Sequence, residues 1–349
     1  MTPSGHISWF AEIGLGDRPH VGGKGGSLGE LKRAGIAVPP GFVVRTSAFE
    51  RFLEELERTA PLRARVEALQ PDDLAEIQAC SRDLRRRIEL AALPADVVAD
   101  IGSAHAMLAG DARIAVAVRS SATTEDAADA SFAGLQDTFL WVTTAADALD
   151  RVRSCWASLY SVESISYRRT RRFPEAGVAM AVVIQSMVDA RTAGVMFTRS
   201  PTTGDRSVIT VESAWGLGSA VVGGEVTPDR WVIGKVTGEI SVRTISDKAI
   251  EHVPAAGGGI ETVAVAEARR RVASLSDAEL QALRLLGRRI ERHYGSAQDV
   301  EWAVDRHSGE ILVLQSRPET VWSPKDAAPV ARPAANPLTH VMSVFGGRR

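Results

Sequence analysis

The chain has 349 residues, 45% of them hydrophobic and 24% charged, which suits a soluble globular protein with a sizeable core and two domains or subdomains. Its formal net charge of −2 and pI near 6.4 supply no global field to recruit nucleic acid or an anionic membrane, so neither is an expected partner. Cys80 and Cys155 lie far apart without a second ligand at metal-site spacing, and no apolar run approaches the roughly 18 residues of a membrane span. A reducing cytoplasm is the expected location.

The segment to about residue 110 reads as mainly helical. Ser47 with Glu50 has capping-box spacing before Phe49, Phe52, Leu53 and Leu56. Cys80, Leu84, Ile88 and Leu90 mark a second amphipathic helix, and Pro94 to Leu108 a third. Ile114, Val116 and Val118 then predict a short buried strand with Arg119 at its end. The small, polar stretch 120–134 is long for a connection and reads as a lid or binding loop. Thr138 to Val142 is a strand, followed by helix to about Phe173 and strands at 179–187, 194–198 and 207–213. Arg230–Lys235 and Ile240–Ile245 form a hairpin through Thr237-Gly238. Ser276 and Glu279 cap a helix carrying Leu280, Leu283, Leu286 and Ile290, which ends at Gly295. Arginine runs at 85–87, 168–169 and 269–271 read as solvated helix faces. The expected class is α+β with a division near residue 190 and a Pro/Ala-rich tail from 323 to 349.

Five segments could carry chemistry. The closing D-V-E-W-A-V and I-L-V-L-Q-S-R-P stretches alternate with period two and predict a hairpin. If Val304 pairs with Leu312, Glu301 faces Gln315 and Arg317 follows on the same side. Oxygen ligands for Mg²⁺ and a rigid cation for phosphate would then share one patch, or the strand is an ordinary polar face. Gly22-Gly23-Lys24-Gly25-Gly26 precedes a helix containing Leu28 and Leu31, which suits anion approach or a surface turn. It is no Walker loop, because Gly25 stands where Ser or Thr must follow the lysine. Arg119 beside Ser120 and Ser121 could clamp phosphate or pair with Glu125 or Asp126. The Gly216–Gly224 run is either a phosphate-approaching loop or a structural turn. Gln185, ending an apolar strand, could read an adenine edge.

Together the segments V-G-G-K-G-G-S-L-G-E-L, V-P-P-G-F-V-V, V-R-S-S-A-T-T-E-D, A-S-F-A-G-L-Q-D-T-F, G-V-M-F-T-R-S-P-T-T-G and D-V-E-W-A-V … L-Q-S-R-P resemble the nucleotide-binding domain of phosphoenolpyruvate synthases and rifampicin phosphotransferases over about residues 10–322. The resemblance implies an ATP-grasp-type domain of two subdomains, 1–190 and 191–322, using ATP and Mg²⁺. It places Lys24, Arg119 and Arg317 on the phosphates, Gly134 and Thr138 along the nucleotide loop, and Gln185 at the adenine. Glu301 and Gln315, with Asp299 as a weaker candidate, would hold Mg²⁺. It further implies cleavage of ATP to AMP with phosphorylation of a histidine on a swivelling domain. His340 lacks the glycines of that histidine signature, so a separate subunit carrying the histidine and acceptor-binding domains is the expected partner, as in phenylphosphate-synthase-like systems. The amino-terminal part of a single-chain phosphotransferase and a non-catalytic ATP sensor are the alternatives. Arg199-Ser200 also departs from the small residue and Asn expected before the proline.

Overall fold

The computed structural model describes residues 5–110, 113–123, 126–127, 130–131, 137–320 and 322. Helices surround two antiparallel sheets, so the α+β expectation holds as a mixture of helix and sheet. The first sheet runs Ile7–Trp9, Gly41–Val44, Met180–Ser186, Val116–Ala122, Thr138–Val142 across its width. The second runs Ile240–Thr244, Asp229–Gly234, Val208–Trp215, Ala190–Phe197, Gln298–Asp305, Ile311–Pro318. The chain leaves one sheet at Ser186 and enters the other at Ala190.

Strand periodicity divides the core. Phe42, Val44, Val116, Val118, Val182 and Ile184 face the N-terminal helices, while Val43, Ala181 and Val183 face the helix Arg18–Arg33. On the first side Trp156 stacks against Phe49 and Phe52 at centroid distances of 5.8 and 5.1 Å. On the second, Leu28 and Leu31 share one core with Met196, Trp231, Trp302 and Val313 of the second sheet. The helix Arg18–Arg33 is thus packed against both sheets and ties them together.

The helix Asp277–Tyr294 forms as its sequence directs. Ser276 Oγ and the Glu279 carboxylate exchange the two capping-box bonds, and Gly295 closes the helix in the left-handed conformation. The other capping expectation fails. The helix Thr46–Glu57 starts one residue before Ser47, whose hydroxyl donates to the Gly5 carbonyl instead. Arg168 is no solvated residue either, because its guanidinium is buried on Glu175 and the Leu159 carbonyl. The strands Ile7–Trp9 and Gly41–Val44 interrupt the segment expected to be mainly helical, and a hairpin Ile250–Pro254 with Ile260–Ala264 was unforeseen. The tail from 323 to 349 lies outside the described residues.

Candidate functional site

The closing hairpin brings Glu301 opposite Gln315 and Asp299 opposite Arg317. The register toward the turn differs from expectation: Val304 pairs with Ile311 and Leu312 with Ala303. A bulge beside Glu301 causes this, with Trp302 facing Val313 and Leu314 as the extra residue. Its effect is to put the consecutive Leu314 and Gln315 on one cleft, which core residue Trp302 also borders, while Val313 stays in the core.

That cleft, about 800 Å³, lies where the two sheets meet. Lys24, Arg119, Glu301, Gln315 and Arg317 line one part. Gln185, Met187, Val188, Leu217 and Ile260 line another, which is mainly apolar. A polar region for charged oxygens beside an apolar wall suits an amphipathic small molecule.

Arg119 comes from the first sheet and reaches the second. It sits within the strand Val116–Ala122 rather than at its end, because the strand continues through both serines. Its Nη1 donates to the Leu314 carbonyl at 3.1 Å, and its Nη2 donates to Glu301 Oε2 at 3.1 Å and to Gln315 Oε1. Its acidic partner is therefore Glu301 on the second sheet, and the side chain of Asp126, one of the two local alternatives, lies outside the described residues. Glu125 lies outside the described residues. The side chain is 10% exposed and its Nε is buried without a partner.

The two serines do not help Arg119 bind an anion. Ser120 Oγ donates to the Asp137 carbonyl, and Ser121 Oγ donates to the Val21 carbonyl while accepting from Gly25 N–H. The glycine segment is likewise more ordered than a surface turn. One helical stretch, Arg18–Arg33, contains it, broken only at Gly22 with φ 69°. A Cβ there would stand 2.1 Å from the Ser121 carbonyl oxygen, so only glycine fits. The helix resumes at once, leaving half-buried Lys24 in its first turn and on the cleft.

Gln185 is buried in the strand Met180–Ser186, and its Nε2 has no hydrogen-bond partner. A buried donor left unsatisfied is costly, so its presence on a cleft wall marks a position where a ligand acceptor fits. Thr138 opens an edge strand on the cleft. Gly218, Ser219 and Gly223 of the glycine run also line it, with Ser219 Oγ 2.8 Å from His252 Nδ1. Gly134 and most of the 120–134 lid expectation fall outside the described residues. Trp141 and the Gly257–Gly259 turn line the cleft but were missed, since neither a strand tryptophan nor a glycine turn signals a ligand by itself.

Arg317 is half exposed, with its Nε 3.3 Å from Asp299 Oδ2. Burial pushes the Asp299 carboxyl up to about 6; Arg317 opposes this, and Glu319 reinforces it. Asp299 Oδ1 is buried and partnerless. Because the folded pKa lies above the ordinary 3.8, the native state holds the proton longer than the unfolded chain. Stability from this group is present below about pH 4 and is lost as pH rises to about 6. Asp299→Asn removes that loss. Urea unfolding in chelator should show the variant gaining about 2 kcal/mol on the parent between pH 4 and pH 7. A difference that stays constant over this range would contradict the burial argument.

The family model for the pyruvate phosphate dikinase AMP/ATP-binding domain matches residues 18–336. A probable phosphoenolpyruvate synthase of Methanothermobacter thermautotrophicus is 42% identical over 318 residues, covering 90% of this chain and 46% of that protein. The phosphoenolpyruvate synthase of Pyrococcus furiosus is 36% identical over 357 residues, covering 90% and 44%. That of Aeropyrum pernix is 38% identical over 358 residues, covering 94% and 44%. The chain thus spans under half the length of these curated relatives. A solved D-alanyl-alanine synthetase A from Vibrio cholerae is 10% identical over 69% of this chain and 54% of that one, with a TM-score of 0.26, too low to bear on the fold.

Proposed function

The chain belongs to the pyruvate phosphate dikinase AMP/ATP-binding domain family, and from that premise we propose that it is the ATP-binding component of a dikinase-type phosphotransferase. In this reading residues 1–190 and 191–322 are the two subdomains of an ATP-grasp-type domain, and the cleft between their sheets holds ATP. The observation that carries the proposal is the convergence of Arg119, Glu301 and Gln315 from two sheets at one wall of that cleft.

Lys24, Arg119 and Arg317 are the residues for the phosphates, their charges opposing the negative charge of the transferring group. The partnerless Gln185 Nε2 supplies a donor for the adenine edge, and Thr138 contacts the nucleotide from the edge strand. Glu301, Gln315 and Asp299 would hold Mg²⁺. Two carboxylates and a carboxamide are the hard oxygen donors that this cation takes beside phosphate and water, and Asp299 Oδ1 is a buried acceptor that a cation would satisfy. Among the described residues no group of three or more His, Cys, Asp or Glu could hold a metal alone, which suits a cation shared with the phosphates. Bound Mg²⁺ supplies charge neutralisation on those oxygens. Glu301 Oε2, which accepts from Arg119 Nη2 in this structure, would be a ligand to that cation, and Arg119 would face the phosphate.

The reaction proposed is cleavage of ATP to AMP, in which one of the two released phosphoryl groups goes to water as inorganic phosphate and the other phosphorylates a histidine that passes it to a small hydroxyl acceptor, a phenol being the favoured class. The histidine and acceptor domains belong to a separate subunit in the preferred reading. The second reading, supported by the length of the relatives, makes this chain the ATP-binding part of a single-chain phosphoenolpyruvate synthase. The test is product analysis of the chain with Mg²⁺-ATP, alone and with a histidine-domain protein. AMP and phosphohistidine are expected only with that protein. ATP binding without AMP in either mixture would favour a sensor and sink the phosphotransferase.

A further inference from the structure

Among the described residues only Trp141 and Arg172 are non-glycine residues with positive φ, at 57° and 55°. Arg172 lies in a turn after the helix Val162–Thr170, where such a conformation is ordinary. Trp141 lies inside a strand and is bulky, a combination that sterics disfavour. The strand register explains how it arises. Val116 pairs with Val142 and Val118 with Phe139, so Leu140 and Trp141 both stand opposite Ala117. This is a bulge whose left-handed position, usually glycine, is taken by tryptophan.

A bulge re-aims a side chain, and this one puts Trp141 on the cleft wall. The half-buried indole packs beside Val188 and Leu217 in the apolar part of that wall. The strained backbone is held by a turn more than a hundred positions away in sequence that also lines the cleft. Gly259 N–H donates to the Trp141 carbonyl at 2.9 Å, from a turn whose Gly258 and Gly259 have φ of 92° and 76°. Strain kept in place by a dedicated contact at a cavity is the pattern of a ligand clamp.

We propose that Trp141 is the platform on which the nucleotide's heterocycle stacks, held in position by the Gly257–Gly259 turn. The inference rests on reading the cleft as a nucleotide site, and it adds a binding residue there. Gln185 and Trp141 then divide the work: the amide reads the edge of the base and the indole covers its face. Stacking contributes to affinity for any ligand bearing a base and nothing to affinity for a bare polyphosphate.

The experiment measures binding of Mg²⁺-ATP and of Mg²⁺-tripolyphosphate to the full chain, the Trp141→Ala variant and the Trp141→Phe variant by calorimetry. Trp141→Ala should weaken ATP binding by about 10- to 30-fold and leave tripolyphosphate within twofold, while Trp141→Phe recovers most of the loss. Equal ATP affinity in parent and Trp141→Ala overturns the inference and leaves the nucleotide site standing. A parallel loss of tripolyphosphate affinity in Trp141→Ala and Trp141→Phe also overturns it, because Trp141 then supports the fold of the cleft. Failure of the parent chain to bind ATP at all overturns the nucleotide reading and this inference with it.

Discussion

Replacing Arg119 with alanine is expected to lower phosphoryl transfer from Mg²⁺-ATP by about a thousandfold, within the range of other arginines that stabilise charge on a transferring phosphoryl group. The guanidinium is nearly buried and already faces the oxygens of Glu301, Gln315 and Leu314. In a site of low dielectric such a charge acts far more strongly than in water. Arg119→Lys keeps the charge but loses the planar fork, so it should recover only about a tenth of the lost activity. Thermal unfolding separates this from a fold defect. Glu301 keeps 31% exposure, so its loss of a partner is solvated and stability should fall by about 1 kcal/mol. Arg119→Lys turning over within twofold of the parent would remove Arg119 from the phosphate site.

The largest loss of stability is expected at Asp229, which does not line the cleft. Asp229 and Lys248 are both fully buried, 2.5 Å apart. The carboxylate also accepts from Ser246 N–H, Ser274 N–H and Ser274 Oγ, joining the strand Asp229–Gly234 to the segment before the capped helix. Asp229→Ala leaves a buried ammonium and three donors without their acceptor, at a cost of about 3–5 kcal/mol. Lys248→Met alone should cost nearly as much, because it strands the carboxylate. The double variant Asp229→Ala, Lys248→Met should be more stable than the sum of the two losses predicts. Denaturant unfolding checks all three. An Asp229→Ala variant within 1 kcal/mol of the parent would mean that the pair is solvated.

The parts of the fold legible in the sequence were those with a local cause. The Ser276 capping box and Gly295 cap depend on residues a few positions apart, and both form as read. Glu301 faces Gln315 as read, although the pairing of Val304 with Leu312 from which that was read does not form. The bulge beside Glu301 was not legible, since a one-residue slip costs nothing in the alternating pattern until a core side chain must choose a face. The strand Gly41–Val44 was hidden for another reason. Four residues give too short a period, and its partners lie at Ile7–Trp9 and Met180–Ser186. Arg119 was singled out and does line the cleft, but its acceptors are 182 to 196 positions away and no local pattern points to them. Trp141 gave no signal, because strand tryptophans are ordinary core residues and its backbone angle exists only in three dimensions.

The contact between Gly22 and Ser121 has a further meaning for affinity. Lys24 rides on the helix that restarts at Gly22, and Arg119 stands two residues before Ser121. With no side chain between the two backbones and a serine hydroxyl bonded on both sides of the break, neither element can slide past the other. The backbones that carry two cations nearly a hundred positions apart in sequence are therefore fixed relative to each other before any anion arrives. The disorder that would otherwise be given up in assembling them is surrendered during folding, and it is not surrendered again with each ligand.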